Sequence, residues 1–311
     1  MLNGHFSVLD LVGKTPLVEL RSFSPKPGVR IFAKLEGQNP SGSIKDRIAR
    51  GLVEAAETSG ELRPGGILCE ASSGNTAIAL AMVARQKGYR IKVALPDGVA
   101  PSISDILKLL GAEFHWCRPY LGMKGAIDAA NELAAHSGGI CVGQFSNPLN
   151  VDIHYRTTGE EIVTAMPDID VFVAGIGTGG TIMGVGKRLR EHNPKVRIVG
   201  IEPKMGDKLQ GLRSLEEGFM PPLLNLDMLS RRMIVDAASS IRLMQQAILA
   251  EGIFLGVSGG ATLFGALKEA ERMDRGNIVV MSSDSGWKYL PARPWDAAHA
   301  WDHELDEVHW W

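Results

Sequence analysis

The chain reads as an α/β protein of two lobes with a cleft between them, and three observations carry that reading. Apolar strand-like runs alternate with helical patterns almost throughout the 311 residues, the signature of parallel strands joined by crossover helices. Nine candidate strands are many for one compact sheet. The polar stretch Gln144-Phe145-Ser146-Asn147-Pro148-Leu149-Asn150 has turn chemistry and marks the best boundary between two units.

The first apolar run, 31–35, is followed by Asn39-Pro40-Ser41-Gly42-Ser43-Ile44-Lys45-Asp46-Arg47. Asn39-Pro40 and Gly42 predict a sharp bend, and Ser43 is placed to cap the helix that follows. That helix is predicted over 43–59, because Ile48, Leu52, Val53 and Ala56 recur at helical spacing. Strand 66–70 then leads to helix 75–88, strand 91–95 to helix 103–110, and strand 113–116 to helix 123–135, before a short strand at 140–142. Beyond the boundary the patterns predict helix 158–165, strand 171–174, helix 181–192, strand 197–201, helix 240–251, strand 253–256, helix 261–272 and strand 278–281. No repeat or low-complexity segment interrupts them.

At 45% hydrophobic and 22% charged, the composition suits a globular chain with a sizeable core. A net charge of −2 without a basic block makes nucleic acid an unexpected partner. Cys69, Cys117 and Cys141 form neither a zinc pattern nor a disulfide framework, which fits a reducing cytosol. Met1-Leu2-Asn3-Gly4-His5 does not read as the start of a signal peptide, and no apolar run is long enough to cross a bilayer. His299 and His303 stand four apart in a tail that also holds Trp295, Trp301, Trp310 and Trp311. With no third ligand identifiable, this reads as a docked apolar helix rather than a metal site.

Four loops carry the chemistry. Lys45 falls in the first turn of its helix, where the dipole disfavours a cation and pushes the amine toward its neutral, nucleophilic form. The plainer alternative is a solvated Lys45 paired with Asp46. Ala71-Ser72-Ser73-Gly74-Asn75-Thr76 joins a strand to a helix start and offers more donors than a cap requires, suiting a carboxylate. Gly175-Ile176-Gly177-Thr178-Gly179-Gly180-Thr181 occupies the same kind of junction. Its glycines satisfy a dinucleotide fingerprint, with Glu202 22 residues beyond Gly180, but they equally suit the phosphate of another cofactor. Gly256-Val257-Ser258-Gly259-Gly260 matches a hydrolase nucleophile elbow, although a tight turn beside a ligand explains it more simply. Ser282-Ser283-Asp284-Ser285-Gly286 ends the last strand, where open α/β sheets place ligand contacts.

Taken together, residues 39–47, Ser72 to Thr76, Gly177 to Thr181 and Ser285 resemble the fold-type II pyridoxal-phosphate enzymes, specifically the cysteine synthases. Thr15-Pro16-Leu17-Val18, Gln144-Phe145-Ser146-Asn147-Pro148, His154-Tyr155-Arg156-Thr157-Thr158-Gly159 and Glu251-Gly252-Ile253-Phe254 fit as well, so the likeness runs from about residue 8 to Leu290. It implies a two-lobed α/β fold like the tryptophan synthase β chain, with open, mostly parallel sheets and helices on both faces. A smaller mobile lobe would span 35–146; 1–34 plus 147–311 would anchor the cofactor, with a tail from about 291. By the same resemblance Lys45 forms the internal Schiff base with pyridoxal 5'-phosphate and acts as general base. Asn75 meets the cofactor ring oxygen, Gly177, Thr178, Gly179, Gly180 and Thr181 cradle its phosphate, and Ser285 meets the pyridine nitrogen. Ser72, Ser73, Asn75, Thr76 and Gln144 hold the substrate carboxylate.

The implied activity is that of a cytoplasmic homodimeric transferase making cysteine by β-replacement on an activated serine. Phe172-Val173-Ala174-Gly175, Arg213-Ser214-Leu215-Glu216-Glu217-Gly218-Phe219 and Gly286-Trp287-Lys288-Tyr289-Leu290 look like the actinobacterial cysteine synthase B type. That type takes O-phosphoserine and sulfur from a small thiocarboxylated carrier protein. Arg213 matches its phosphate-reading arginine, and an ion pair with Glu216 or Glu217 is the plainer alternative. O-acetylserine is the other candidate substrate. A serine or threonine dehydratase and a diaminopropionate-type synthase share the lysine and phosphate loop; a nicotinamide enzyme, a hydrolase at Ser258 and a non-catalytic homologue are the remaining alternatives. Three segments depart from the family: Val99-Ala100-Pro101-Ser102-Ile103-Ser104-Asp105 replaces its Met-Ser-x-Glu-Arg segment, Ala77 replaces a glycine, and Pro291-Ala292-Arg293 replaces Ser-Thr-Gly. The terminal Trp310-Trp311 is expected to fold over the cleft.

Overall fold

The computed structural model describes residues 7–72, 74–96, 101–117 and 122–296. In chain order, β1 (Leu17–Glu19) and β2 (Val29–Leu35) lead into α1 (Lys45–Thr58). β3 (Ile67–Ala71), α2 (Asn75–Lys87), β4 (Arg90–Pro96), α3 (Pro101–Leu109), β5 (Glu113–Cys117), α4 (Gly122–Ser137) and β6 (Ile140–Cys141) follow. The second half holds α5 (Leu149–His154), α6 (Glu160–Ala165), β7 (Ile169–Gly175), α7 (Gly180–His192), β8 (Arg197–Pro203) and β9 (Arg231–Val235). It closes with α8 (Ala237–Glu251), α9 (Val257–Ala270) and β10 (Gly276–Ser282).

These strands form two sheets, ordered β1-β2-β10-β7-β8-β9 and β5-β4-β3-β6. Every pairing is parallel except β1 with β2. The larger sheet is covered on both faces, as period-two alternation dictates for parallel strands. Val171, Val173, Ile278 and Val280 pack toward Met244 and Ala247 of α8 and Leu263 and Ala266 of α9. Their neighbours Phe172, Val279 and Met281 pack with Ile162 of α6 and Ile182, Val185 and Leu189 of α7. In the smaller sheet Leu68, Ile91, Val93 and Leu95 bury against Ile48, Leu52 and Val53 of α1 and Leu80 and Val83 of α2. Ala71 and Ala94 face Met123, Ala126 and Ala130 of α4.

Three expectations change. The run 253–256 is not a strand: it makes a single bridge, Leu255 to Ser285, because β10 is already flanked by β2 and β7, and the chain passes directly into α9. Two edge strands were not foreseen. β1 has three residues, too few to show alternation, and Arg231-Arg232 disguise β9 as a polar loop. Those arginines pair with Glu269 and Glu202, and charge on an edge strand blocks further pairing. Finally, the helix expected at 158–165 belongs to a longer helical run opened by α5, with a π-helical segment, Tyr155–Gly159, in its middle. Such segments concentrate at functional sites.

A buried ion cluster lies where β2, α1 and α6 meet. Arg47 donates to Glu36 at 2.7 and 2.8 Å and to both carboxylate oxygens of Glu161 at 2.7 Å. Lys34 completes it, reaching Glu161 at 2.6 Å. Thr15 and Asn39 donate to Glu36 at 2.6 and 2.9 Å, leaving that carboxylate fully enclosed by donors.

Candidate active site

The site begins at the turn between β2 and α1. Gly42 has φ +84°, so the backbone there favours glycine, and the end of the Lys288 side chain lies against it. α1 starts at Lys45, not at the expected position; Ile44 occupies the cap with helical dihedrals, though the Ser43 hydroxyl still accepts the Lys45 N–H at 3.3 Å. Asp46 turns back to accept from the Ser41 N–H at 2.7 Å and from the Ser41 hydroxyl. The local acid offered to Lys45 is therefore engaged elsewhere. Burial pushes the Lys45 amine down to about 8, against the opposing pull of Asp284.

Lys45 faces two adjoining chambers, whose shared lining also includes Asn75, Gly177, Thr178, Gly211 and Leu212. One chamber opens between Ser72, Thr76, Gln144, Phe145 and Arg213. The other runs between Gly179, Thr181, Ser258, Ser283 and Asp284.

The second chamber has an anion cradle. β7 delivers the chain to the start of α7 through Gly177, whose Cβ would meet the Gly211 carbonyl at 2.5 Å, and Gly179, at φ +86°. The first N–H groups of α7 and the Thr178 and Thr181 hydroxyls gather there. Thr181 Oγ1 is 3.2 Å from Nε2 of His154, whose Nδ1 is 3.0 Å from Thr158 in the π-helical segment. Burial foremost, then the Lys45 and Arg47 cations, hold His154 well below its ordinary range, so this ring is neutral. A donor set of amides and hydroxyls beside an amine fits a phosphorylated aldehyde. It does not fit a dinucleotide: Glu202, the acid expected at a ribose, is buried, paired with Arg232 at 2.9 Å and accepting the Leu215 N–H at 2.7 Å.

At the far end, Asp284 Oδ2 accepts from Asn75 Nδ2 at 2.8 Å and from the Tyr289 hydroxyl at 3.0 Å. Lys288 donates to Asn75 Oδ1 at 2.6 Å. The two Asn75 contacts fix the carboxamide orientation and, among the described residues, leave one Asn75 N–H uncommitted. Burial raises the Asp284 carboxyl and lowers the Lys288 amine.

In the first chamber the Ser72 hydroxyl accepts the Gly74 and Ala77 N–H groups, both at 3.3 Å, and so caps α2. With both lone pairs engaged, its proton is left to donate. Ala77 does not prevent this contact. Thr76 donates to Gln144 Oε1 at 2.7 Å, and Gln144 Nε2 to the Ala71 carbonyl at 3.2 Å. Beneath them Glu70, pushed up to about 7 by burial, accepts the Ala71 N–H at 2.9 Å. The Arg213 guanidinium lies over the rings of Phe145 and Phe219, 5.3 and 5.6 Å from their centres. Burial pushes it down to about 10, so it remains a cation at neutral pH.

Of the residues expected in the site, Lys45, Ser72, Asn75, Thr76, Gln144, Gly177, Thr178, Gly179, Thr181 and Arg213 line one chamber or both, and Gly180 opens α7 beside them. Ser285 does not: its hydroxyl donates to the Phe254 carbonyl at 3.2 Å. Ser258 lines the second chamber instead; its glycine-rich motif was visible, but its direction depended on α9. Asp284, to which sequence alone assigns no role, also lines the second chamber. Ser73, Val99, Ala100, the histidines of the tail and Trp310-Trp311 lie outside the described residues.

Comparison with known proteins places this geometry. The family model described as pyridoxal-phosphate dependent enzyme matches residues 8–284. Cysteine synthase B of Escherichia coli (strain K12) is 39% identical over 280 residues, which are 90% of this chain and 92% of that protein. A cysteine synthase of Staphylococcus aureus (strain Mu50) is 37% identical over 294 residues, 91% of this chain and 95% of the relative. Among solved structures, O-ureido-L-serine synthase superposes with a TM-score of 0.90 at 34% identity, covering 97% of this chain and 98% of that one.

Proposed function

Because this chain belongs to the pyridoxal-phosphate dependent enzymes and is homologous to the cysteine synthases, we propose that it makes L-cysteine by β-replacement on O-phosphoserine. The observation that carries the reading is the Lys45 amine at the mouth of α1, facing a hydroxyl-and-amide cradle at the start of α7. When bound, the cofactor supplies a carbonyl for covalent attachment and a sink for the electrons of the broken Cα–H bond. The protein's part is to hold, orient and move protons. Thr178, Thr181 and the first amides of α7 hold the phosphate. Asn75, oriented by Asp284 and Lys288, would meet the ring oxygen, and Ser258, which lines the same chamber as the cradle, would supply a hydroxyl to the ring. Ser72, Thr76 and Gln144 shape the carboxylate site, with the Ser72 proton as its preset donor. Lys45 takes the Cα proton once its amine is neutral. Arg213 pairs with the phosphate that leaves, a dianion suited to guanidinium geometry.

The second substrate is a sulfur nucleophile, sulfide or the thiocarboxylate of a small carrier protein, as the resemblance to cysteine synthase B supports. The enzyme works as a homodimer in the cytoplasm, where the free thiols of Cys69, Cys117 and Cys141 stay reduced. Among the described residues no helix is long and apolar enough to cross a membrane.

Steady-state kinetics with two substrates test the reading. Arg213→Ala should raise KM for O-phosphoserine by about 10- to 100-fold, the worth of a charge-assisted contact, and change KM for O-acetylserine by about twofold or less. Equal effects on both would remove Arg213 from the phosphate role. A pH series adds a second check. The neutral fraction of an amine held near 8 falls by roughly tenfold per pH unit below that value. Cofactor uptake by the apoprotein, followed by absorbance, should therefore accelerate as pH rises toward 8 and level off above it.

A further inference from the structure

Asn150, the second residue of α5, is completely buried and lines neither chamber, yet it joins their two binding loops. Its Nδ2 donates to the Gln144 carbonyl at 2.7 Å and to Thr178 Oγ1 at 3.2 Å. The opposite amide orientation is ruled out by chemistry, since it would set Oδ1 against a carbonyl that can only accept. Oδ1 instead lies against Gly180 with no hydrogen-bond partner among the described residues, and a Cβ on Gly180 would come within 2.0 Å of it. The position of this carboxamide thus explains why α7 must begin with glycine.

The consequence falls on Thr178. Its oxygen accepts the Gly180 N–H at 3.3 Å as well as the Asn150 N–H. A hydroxyl has two acceptor lone pairs and one proton. With both lone pairs engaged inside the protein, the Thr178 proton has the cleft as its remaining direction, and Thr178 lines both chambers.

We propose that Asn150 is a positioning residue: it presets the Thr178 hydroxyl as a dedicated donor to the cofactor phosphate and ties that loop to the Gln144 turn of the substrate chamber. The inference rests on the cofactor reading above. Without Asn150, one Thr178 lone pair is freed, the hydroxyl rotates among several arrangements, and reordering it opposes phosphate binding.

The test is a double-mutant cycle read by cofactor affinity, not by turnover. Apoprotein of the wild type, Asn150→Ala, Thr178→Ala and the double variant is titrated with pyridoxal 5'-phosphate, after thermal melting confirms that each apo form folds. Asn150→Ala should weaken binding about tenfold, and in the Thr178→Ala background it should add little or nothing. Wild-type affinity in Asn150→Ala, or an undiminished penalty when Thr178 is already gone, overturns the proposal. If Asn150→Ala does not fold, the same cycle with Asn150→Ser, whose hydroxyl is too short to span both acceptors, is judged by the same two outcomes. Failure of the wild-type apoprotein to bind the cofactor would instead overturn the function from which the inference starts.

Discussion

Lys45→Ala is expected to lower kcat by at least ~10³-fold, within the range lost with a positioned general base and nucleophile. The purified protein should also lose the yellow colour of the lysine-bound cofactor. Both effects follow from one amine: among the described residues, Lys45 is the one lysine lining the two chambers. Lys288 is the nearest substitute, but it is committed to Asn75 at 2.6 Å. Free alkylamines added to the variant should restore part of the activity, because the cavity left by the side chain opens on the substrate chamber. Borohydride reduction of the wild type, followed by peptide mapping, should place the cofactor label on Lys45. A label elsewhere, or a colourless wild type that turns over substrate, would refute the assignment.

Arg47→Ala should destabilise the fold by about 3–5 kcal/mol, because it leaves Glu36, itself fully buried, as an uncompensated charge. The same cluster predicts how stability responds to acid. Glu161 is held down to about 2 by Arg47 and Lys34, against the opposing effect of burial. A carboxyl lowered from its ordinary 4.5 contributes stability that is complete above that value and is lost as pH falls from there toward 2. Arg47→Ala should flatten this acid limb while lowering the plateau, as measured by urea unfolding between pH 3 and 7. An unchanged acid limb would mean that the cluster does not couple to folding. Arg47→Met, which replaces the charge by a flexible apolar chain, should not rescue stability while Glu36 remains; Arg47→Met with Glu36→Gln should recover part of it. Since Arg47 is two residues from Lys45 on α1, cofactor affinity should fall in parallel with stability.

The two readings of Lys45 show where sequence reasoning stops. Local chemistry offered a lysine paired with Asp46 or a nucleophile at a helix mouth, and the first was the plainer account. Their adjacency in sequence did not decide it. Asp46 folds back on Ser41, and α7 arrives from more than a hundred residues away to build the cradle opposite the amine. The phosphate loop was different. Its glycines, threonines and position between strand and helix fixed the anion site, because backbone amides at a helix start point the same way in any fold.

Periodicity and turn chemistry alone determined the strand–helix alternation, most element positions, the anion loop and the exposed choice at Lys45, since these depend on contacts within one or two turns of chain. Tertiary structure decided the rest. Ser258 rather than Ser285 faces the cofactor chamber because α9 aims one inward while Phe254 captures the other. Glu202 is withdrawn to Arg232 on an edge strand that no sequence pattern announced. Asn150 reaches both binding loops only because α5 packs across the start of α7. A hydroxyl or carboxylate shows its chemistry in sequence, but its direction is set by partners that fold in from elsewhere.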